Sequence, residues 1–428
     1  MTRPSPLPTR LTRLHAGMVL AVLASRTLLG ADDAPAPKAE LTKVAAPATT
    51  TVALSSAGKR ADEIRGTINI GNNMTERGDY EGAEVAFRQV LSAPDVAPAG
   101  TKLALLGLAH MYRRHGALTK SAAVYEKYLK DYPGDDLLPD ALLELGRCLR
   151  DMGAYTTAIA RFYSVINSTL KLPAGGFAHY QQLAKTAQFE IAQTHFEAGE
   201  YAEAGKFFSR LRLLDLSPSD RAHAHFMAAY SLYLQGGSDD TVTMLTSFVE
   251  QWPDDENVPE ARYLLATSLH SLHRSQEAFA ATLALLQAEK GKVAASPKRW
   301  SYWQRRTGNQ LANDFFENGD ILNAQAIYAA LASLSTDPTW QLPVTYQLGL
   351  CYDRLGASER AHTSYQAILD GVKADSPANL QELRRLAVWR LGQLDWHDHI
   401  GHQVTSLLDT ATGKLATAAS PKVVQALP

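Results

Sequence analysis

Cysteine is nearly absent from this sequence. Two cysteines among 428 residues are too few for a disulfide framework and cannot supply the ligands of a structural zinc site. No excess of one charge is present either, because 42 basic and 44 acidic residues give a net charge of −2. This balance excludes the overall basic footprint of a nucleic-acid-binding protein. The composition, 46% apolar and 20% charged, is that of a globular protein.

Catalytic motifs are missing as well. The sequence contains no G-x-S-x-G elbow, no phosphate-binding P-loop, no G-x-G-x-x-G and no H-E-x-x-H. Cys148 and Cys351 occupy matching places on two predicted helices, and we interpret them as small core residues. We therefore predict that the protein is not an enzyme, with no catalytic residues and no cofactor.

The N-terminal part of the chain predicts export. In residues 1–31, three arginines with no acidic residue precede the apolar run Met18–Ala24, and the small residues Gly30 and Ala31 follow. This order is typical of a signal peptide and predicts a periplasmic or secreted protein. Residues 32–59, rich in Ala, Pro, Thr and Ser, are predicted to be a disordered tether. No stable membrane span is expected after cleavage, since a span needs about 20 unbroken apolar residues.

A repeated two-helix unit accounts for the remainder. The segment Gly78–Leu91 returns in altered form at Gly153–Ile166, Gly199–Leu211 and Gly319–Leu331, and looser copies begin at Gly116, Gly236, His273 and Gly356. Apolar residues recur three and four positions apart, the spacing of a helix face. Each full copy carries a small residue and, one turn later on the same face, an aromatic one. These pairs are Ala83 and Phe87, Ala158 and Phe162, Ala204 and Phe208, Ala324 and Tyr328, and Ala361 and Tyr365.

This pattern resembles the tetratricopeptide repeat (TPR) family, whose unit is about 34 residues long. Eight matches begin near Ile64, Lys102, Pro139, Lys185, Ala222, Pro259, Arg305 and Leu342. The resemblance implies an all-α, right-handed TPR solenoid over residues 60–400, with a ninth first helix at Leu380–Trp396 as its cap. Residues 401–428 are expected to be a capping segment and a flexible tail.

The spacing of the copies is not uniform. Most starts lie about 37 residues apart, but the steps into Lys185 and Arg305 are about 46 residues long. Units therefore recur at about 120 residues, which suggests a triplicated block of three repeats. The extra residues fall at 172–184 and 293–304. They indicate either longer first helices or two protrusions on one side of the solenoid.

Two copies resemble a narrower group of TPR proteins. Tyr125–Pro133 and Phe248–Pro253 end their helices in the style of exported TPR proteins of Gram-negative envelopes, namely the outer-membrane-assembly and Tol–Pal-coordinating groups. No Cys follows the N-terminal apolar run, so a lipid-anchored member is not indicated.

The resemblance implies a concave groove, lined by the first helices, that binds a protein or peptide partner. Three groups of side chains match its groove positions: a basic patch, an aromatic middle and an end that carries amides. They are Arg113, Arg114, Arg147 and Arg150; Phe189, Phe196, Phe226, Tyr230, Tyr233 and Tyr263; and Asn309, Asn313, Phe316, Tyr346 and Arg354. Aromatic and arginine side chains dominate binding energy at interfaces. Packing in the core is the alternative for each of them.

Two other functions fit particular segments. His397, His399 and His402, interleaved with aspartates, offer zinc or copper ligands, although we favour surface histidines on a polar helix end and predict no metal site. The basic–aromatic segment Lys298–Arg306 offers Trp300 and Trp303 to a cell-wall glycan or a polyanion. An extended first helix that packs both indoles inward is the favoured interpretation. The sequence thus predicts a non-enzymatic interaction scaffold of the bacterial cell envelope.

Overall fold

The computed structural model of the chain describes residues 51–169, 177–288, 293–294 and 296–418. These residues form seventeen helices and contain no strand. The helices are α1 Thr51–Arg77, α2 Tyr80–Ser92, α3 Pro98–Arg114, α4 Leu118–Asp131, α5 Leu138–Asp151, α6 Tyr155–Thr169, α7 Phe177–Glu197, α8 Tyr201–Leu211, α9 Pro218–Leu234, α10 Asp239–Gln251, α11 Val258–Ser271, α12 Ser275–Leu286, α13 Pro297–Glu317, α14 Ile321–Ala332, α15 Pro338–Arg354, α16 Ser358–Gly371 and α17 Ala378–Ala418. The predicted signal peptide and residues 419–428 lie outside the described part.

Helices α1 to α16 form eight consecutive pairs, each consisting of an odd-numbered first helix and an even-numbered second helix. Every pair reverses direction at a residue with positive φ. Seven of these turns use glycine, for example Gly153 at φ 82° and Gly319 at φ 84°. The eighth uses His273 at φ 59°. Glycine dominates because a left-handed conformation costs it nothing sterically.

Within a pair, the two helices meet at a small residue that faces an aromatic ring. A Cβ added at Gly146 in α5 would lie only 2.5 Å from Cε1 of Phe162 in α6. Gly349 and Tyr365 repeat this arrangement in α15 and α16, with a distance of 2.6 Å. All five predicted pairs of a small and an aromatic residue on the second helices are at most 1% exposed. The packing predicted from the repeat pattern is therefore confirmed.

Prolines mark the ends and the beginnings of helices as expected. Helices α4 and α10 end at Asp131 and Gln251, two residues before a proline that cannot continue them. Four first helices (α3, α9, α13 and α15) begin with proline. The first N–H of any helix has no partner within the helix, so proline, which lacks an N–H, loses no hydrogen bond there.

The extra residues in two of the repeat units lengthen first helices. Both α7 and α13 have 21 residues, whereas α9 has 17 and α11 has 14. Trp300 and Trp303 in α13 are only 5% and 6% exposed, so the indoles pack inward and do not form a stacking surface. In chain order the first helices have 27, 17 and 14 residues, then 21, 17 and 14, then 21, 17 and 41. The decreasing order expected of a triplicated block therefore holds except at α17. Residues 172–176 of the first insertion lie outside the described part.

Two helices extend past the predicted domain boundaries. The chain divides into residues 1–59 and residues 60–428, at the predicted end of the tether, and α1 begins at Thr51, before this division. The last proline before it is Pro47, so nothing in Thr51–Lys59 interrupts a helix. At the other end, α17 passes residue 400 and continues to Ala418.

The length of α17 has a local explanation. The tripeptide Arg390-Leu391-Gly392 repeats Arg354-Leu355-Gly356, which forms the turn after α15. After Gly356, Ala361 and Tyr365 follow at the spacing that lets a second helix pack. The corresponding positions after Gly392 are His397 and Gly401, which cannot make that contact. The helix therefore continues instead of turning.

The small-to-aromatic contact can be tested at Gly146. We expect Gly146→Ala to destabilise the protein by about 1–3 kcal/mol, because its methyl group overpacks against the Phe162 ring. Gly66→Ala is the matched control, since a Cβ at this helical glycine meets nothing within 4 Å. It should stabilise by about 0.5–1 kcal/mol. Urea unfolding followed by circular dichroism measures both, and equal midpoints for the two variants would refute the packing account.

Candidate partner-binding surface

The first helices pack against one another along one side of the unit formed by residues 60–428. Close contacts join α3 with α5, α5 with α7, α9 with α11, α11 with α13, and α15 with α17. Among second helices, α12 and α14 pack in the same way. Neighbouring pairs thus approach each other most often on their first-helix side, which we call the inner face.

Side chains on the inner face connect successive first helices in a continuous series that we call the ladder. Its eight contacts are Glu76–Arg114, Arg113–Glu144, Arg147–Glu190, Phe196–Tyr230, Tyr233–Thr267, Tyr263–Trp303, Phe316–Arg354 and Asp353–Arg390. The contacts are ionic from α1 to α7 and mainly aromatic from α7 to α13. From α13 to α17 they again involve arginine, which stacks on Phe316 in one contact and pairs with Asp353 in the other. Six of these sixteen residues escaped the sequence analysis, namely Glu76, Glu144, Glu190, Thr267, Asp353 and Arg390. Contacts between helices that lie about 35 residues apart leave no mark in local periodicity.

The predicted basic patch is wrong, because each of its arginines is neutralised by a carboxylate of a neighbouring helix or of its own. The guanidinium of Arg113 donates to Glu144 at 2.5 Å and that of Arg114 to Glu76 at 2.6 Å. Arg147 donates to Glu190 at 2.5 Å. Arg150, with its side chain only 2% exposed, also donates to Glu190 and lies 3.5 Å from Glu197. The four arginines face five carboxylates, so this end of the inner face is an ion-pair network.

Glu144 in this network stays ionised. Burial opposes the charge of Glu144, but Arg147 and Arg113 outweigh it and hold the pKa of this carboxyl below its ordinary value. For Arg147, burial is likewise outweighed by Glu190 and Glu144, and its pKa is raised. Paired charges in this partly buried setting hold helices α3, α5 and α7 in register.

The aromatic middle is partly core and partly surface. Phe226 and Tyr263 are buried at 4% and 7% exposure, so packing is their main role. Phe189, Tyr230 and Tyr233 are only half-buried. The Tyr230 ring lies 5.5 Å from Phe196 and 6.3 Å from Tyr233 between centroids. Burial raises the pKa of Tyr230 to about 12, so its hydroxyl remains a neutral hydrogen-bonding group.

Beyond the tyrosines, the aromatic strip continues onto α13. Tyr263 lies 4.9 Å from the ring of Trp303, and its hydroxyl donates to Oε1 of Gln310 at 3.3 Å. The exposed guanidinium of Arg306 stands over both rings, 5.2 Å from the Tyr263 centroid. The sequence analysis placed Arg306 in a basic–aromatic segment but not in the groove.

The amide-bearing end is less available than expected. Asn309 and Tyr346 are half-buried, and Asn313 is exposed. However, the amide oxygen of Asn313 accepts a hydrogen bond from the hydroxyl of Tyr328 in α14. Asn313 is thus partly occupied in joining α13 to α14, which limits its use in holding a peptide backbone.

Family comparisons identify the repeats. A tetratricopeptide repeat model matches residues 75–136 and a second one matches residues 140–168. The chain belongs to the tetratricopeptide repeat family. The model of YfiO, an outer membrane lipoprotein, matches residues 181–292, which comprise most of α7 and all of α8 to α12. Among curated proteins, none matches this TPR sequence.

Solved structures similar to this TPR chain come from several bacteria. A tetratricopeptide repeat protein from Parabacteroides merdae is 13% identical, with a TM-score of 0.39, and the match covers 76% of this chain and 99% of that one. The C-terminal part of a TPR repeat-containing protein from Cytophaga hutchinsonii is 12% identical, with a TM-score of 0.48 and coverage of 67% and 99%. MamA from strain MSR-1 is 19% identical, with a TM-score of 0.33 and coverage of 45% and 96%.

The other residues that the sequence singled out form no further site. His397 and His402 are five positions apart on α17 and therefore point to different sides of the helix. Within the described ranges, no three His, Cys, Asp or Glu side chains lie close enough to hold a metal ion. Cys148 and Cys351 are free and fully buried, as predicted, and burial raises the pKa of Cys351 to about 12. No helix in the described ranges is both long and apolar enough to cross a bilayer.

One depression was not foreseen from the sequence. A groove of about 670 Å³ lies between α10 and α12, with α11 as its floor. Its rim carries Arg274, which donates to Asp239 at 2.9 Å and to Glu277 at 2.7 Å. The groove arises where two second helices diverge, so only the packing of neighbouring repeats reveals it.

A buried histidine beneath the aromatic middle has a strongly lowered pKa. His225 in α9 is 1% exposed, and its Nδ1 accepts a hydrogen bond from Nε1 of Trp252 at 3.2 Å. Burial, with a smaller contribution from the charge of Arg212, lowers the pKa of His225 to about 4. The imidazole is therefore neutral in the folded protein at pH 7.

The buried ion pair between Arg150 and Glu190 predicts that replacing Arg150 greatly lowers the stability of the protein. Arg150→Met should destabilise the protein by about 3–5 kcal/mol, because Glu190 then keeps a buried charge with one partner fewer. The double variant Arg150→Met with Glu190→Gln should recover a substantial part of this loss. Thermal and urea unfolding of the three variants give the interaction energy. A double variant no more stable than Arg150→Met would contradict the assignment.

The neutral His225 predicts a loss of stability in acid. Below pH 6.5 the unfolded chain binds a proton at this position that the folded protein does not accept until about pH 4. The free energy of unfolding should therefore fall between these pH values, and His225→Gln should make that fall shallower. Exposed His362 supplies the control variant, His362→Gln. An unchanged slope for His225→Gln, measured by urea unfolding at several pH values, would refute the linkage.

Proposed function

We propose that this TPR protein is a non-enzymatic scaffold that binds a partner peptide or helix along its inner face. The half-buried aromatic strip formed by Phe189, Tyr230 and Tyr233 carries the proposal. These side chains present apolar surface to solvent at the centre of the first-helix side, where neighbouring repeats approach each other. Aromatic residues of this kind are the usual anchors of protein interfaces.

The distribution of charge favours the aromatic strip over the arginine end as the anchor. Arg113, Arg147 and Arg150 are already paired with carboxylates. A charged partner would have to replace those pairs and would gain little. The tyrosines, by contrast, have apolar faces whose burial under a partner is favourable, at about 25 cal/mol for each Å² removed from water. Exposed Arg306, stacked over Tyr263, adds a cation for an acidic group at the edge of the strip.

An envelope location supports the same proposal. The match to the outer membrane lipoprotein model spans residues 181–292, which include every member of the aromatic middle. The predicted signal peptide at residues 1–31 agrees with export to the periplasm or beyond. We propose that the chain acts in the cell envelope of a Gram-negative bacterium, with a protein as its partner. An outer-membrane-assembly role is the narrower form of this proposal.

The glycan alternative has lost its support. It depended on Trp300 and Trp303 as an exposed stacking surface, and both indoles are buried in α13 against the aromatic middle. A stacking platform must leave one face of the ring accessible. We therefore do not retain glycan binding as a proposed function.

The proposed site predicts a selective loss of peptide binding. Peptides selected from a displayed library against the full chain should lose at least about tenfold in affinity for Tyr230→Ala/Tyr233→Ala, since two anchors of about 1 kcal/mol or more are removed. Tyr163→Ala is the control, because this exposed tyrosine lies on the second helix α6. Fluorescence anisotropy measures the affinities. If no peptide is selected, or if both variants bind equally well, the inner face is not the site.

A further inference from the structure

The C-terminal helix α17 carries a long apolar surface that no described part of the chain covers. Its inner side packs on α15 and α16 through Leu380, Ala387, Leu391 and Leu394. After Leu394, every described side chain up to Thr410 is exposed. The helix thus leaves the packed array after Leu394.

Six of the eight large apolar residues of α17 that are exposed share one side of the helix, the exceptions being Val388 and Leu408. At 100° per residue, Leu386, Trp389, Trp396, Ile400, Val404 and Leu407 fall within one arc of about 80°. We call these six residues the stripe. Trp396 is 60% exposed and Leu407 70%. Asp395, Asp398 and Asp409 point to the opposite side of the helix. The nearest charges are at the N-terminal end of the stripe, where Arg390 stands over the ring of Trp389 and Glu382 lies one turn before Leu386.

In earlier repeats, the corresponding positions of the first helix face the next first helix: Asp353 of α15, which matches Trp389, contacts Arg390 of α17. No further first helix is described after α17, which has no residue of positive φ and continues straight through Gly392. Residues 392–418 therefore occupy the chain position of a second helix without folding back. Both parts of the stripe, before and after Gly392, are left open as a result.

We propose that a second copy of this chain covers the stripe by pairing α17 with α17 in an antiparallel arrangement. Residues after Gly392 of each copy then cover residues 378–391 of the other. A register with Trp389 opposite Leu407 also sets Trp396 opposite Ile400 and Gln393 opposite Gln403. The same surface serves both copies, as a two-fold interface requires.

The exposed area is sufficient for such a dimer. With 150–250 Å² for a large side chain, the exposed fractions of the stripe amount to about 600 Å² per copy. The pair buries about 1,200 Å², at the lower end of the range for specific interfaces.

Burial of the stripe also accounts for the helical structure of residues after Leu394. A projecting helix with Gly401 and several threonines is marginal in water, and most helical stability comes from packing an apolar face.

Charge argues against a lipid surface as the occupant. Between Arg390 and Lys414 there is no lysine or arginine, while three aspartates are present. Helices that lie on anionic membranes carry basic residues on their polar face. From Trp396 to Leu407 the stripe carries no Lys, Arg, Asp or Glu, which suits a second copy because no like charges meet there.

The mass of the full chain in solution tests the proposal. Light scattering after size exclusion should give twice 46.6 kDa for the wild type and 46.6 kDa for Trp396→Glu/Leu407→Glu. Leu322→Glu, at an exposed leucine of α14, should leave the dimer intact. A monomeric wild type, or a dimer that persists in the stripe variant, would overturn the proposal. The proposal would also be overturned if the wild type stayed monomeric and co-sedimented with anionic vesicles while Trp396→Glu/Leu407→Glu did not.

Cysteine cross-linking tests the antiparallel register without removing an apolar residue. Gln393→Cys/Gln403→Cys should form a covalent dimer under mild oxidation, and Gln393→Cys alone should not. The two positions lie about 15 Å apart along one helix, too far for a bridge within a chain. A monomeric band alone on a non-reducing gel would contradict the register. Tyr230→Ala/Tyr233→Ala should dimerise normally, so failure of the proposed inner-face site and failure of this one are distinguishable.

Discussion

The close approach of two helices at a residue without a bulky side chain is the contact on which the whole fold depends. At Gly146 the ring of Phe162 occupies the space that a Cβ would need, and Gly349 with Tyr365 repeats the arrangement near the other end of the array. Each helix pair is thereby held at a fixed distance and angle. Because most pairs share such a close approach, successive first helices are presented in similar orientations, and their side chains meet.

The ladder follows from that regular presentation, and its chemistry changes along the chain. Between α1 and α7 the helices are joined by arginine–carboxylate pairs, and between α7 and α13 mainly by aromatic rings. Ion pairs satisfy both partners and leave little for a ligand. Aromatic rings can pack on each other with one face and remain open on the other, which is why the proposed binding strip lies in the middle.

Repeat spacing and residue type predicted the fold well, because packing within a pair depends on residues only four or five positions apart, such as Ala158 and Phe162. The inner face was predicted less well. Arg150 looked like part of a basic patch because its partner Glu190 lies 40 residues away on another repeat. The end of α17 was missed for a different reason. Gly392 matches the turn glycine Gly356 in its local tripeptide, and only the packing residues that follow separate a turn from a continuous helix.

The change in ladder chemistry also makes the two parts of the array respond differently to heat. The cost of removing charged groups from water falls as temperature rises, whereas the stabilisation gained per area of buried apolar surface levels off. Contacts such as Arg147–Glu190 therefore lose less of their strength on warming than the rings around Tyr230 do. Since each repeat is stabilised chiefly by its neighbours, we expect the contacts between the aromatic repeats to weaken more on warming than those between the ionic repeats.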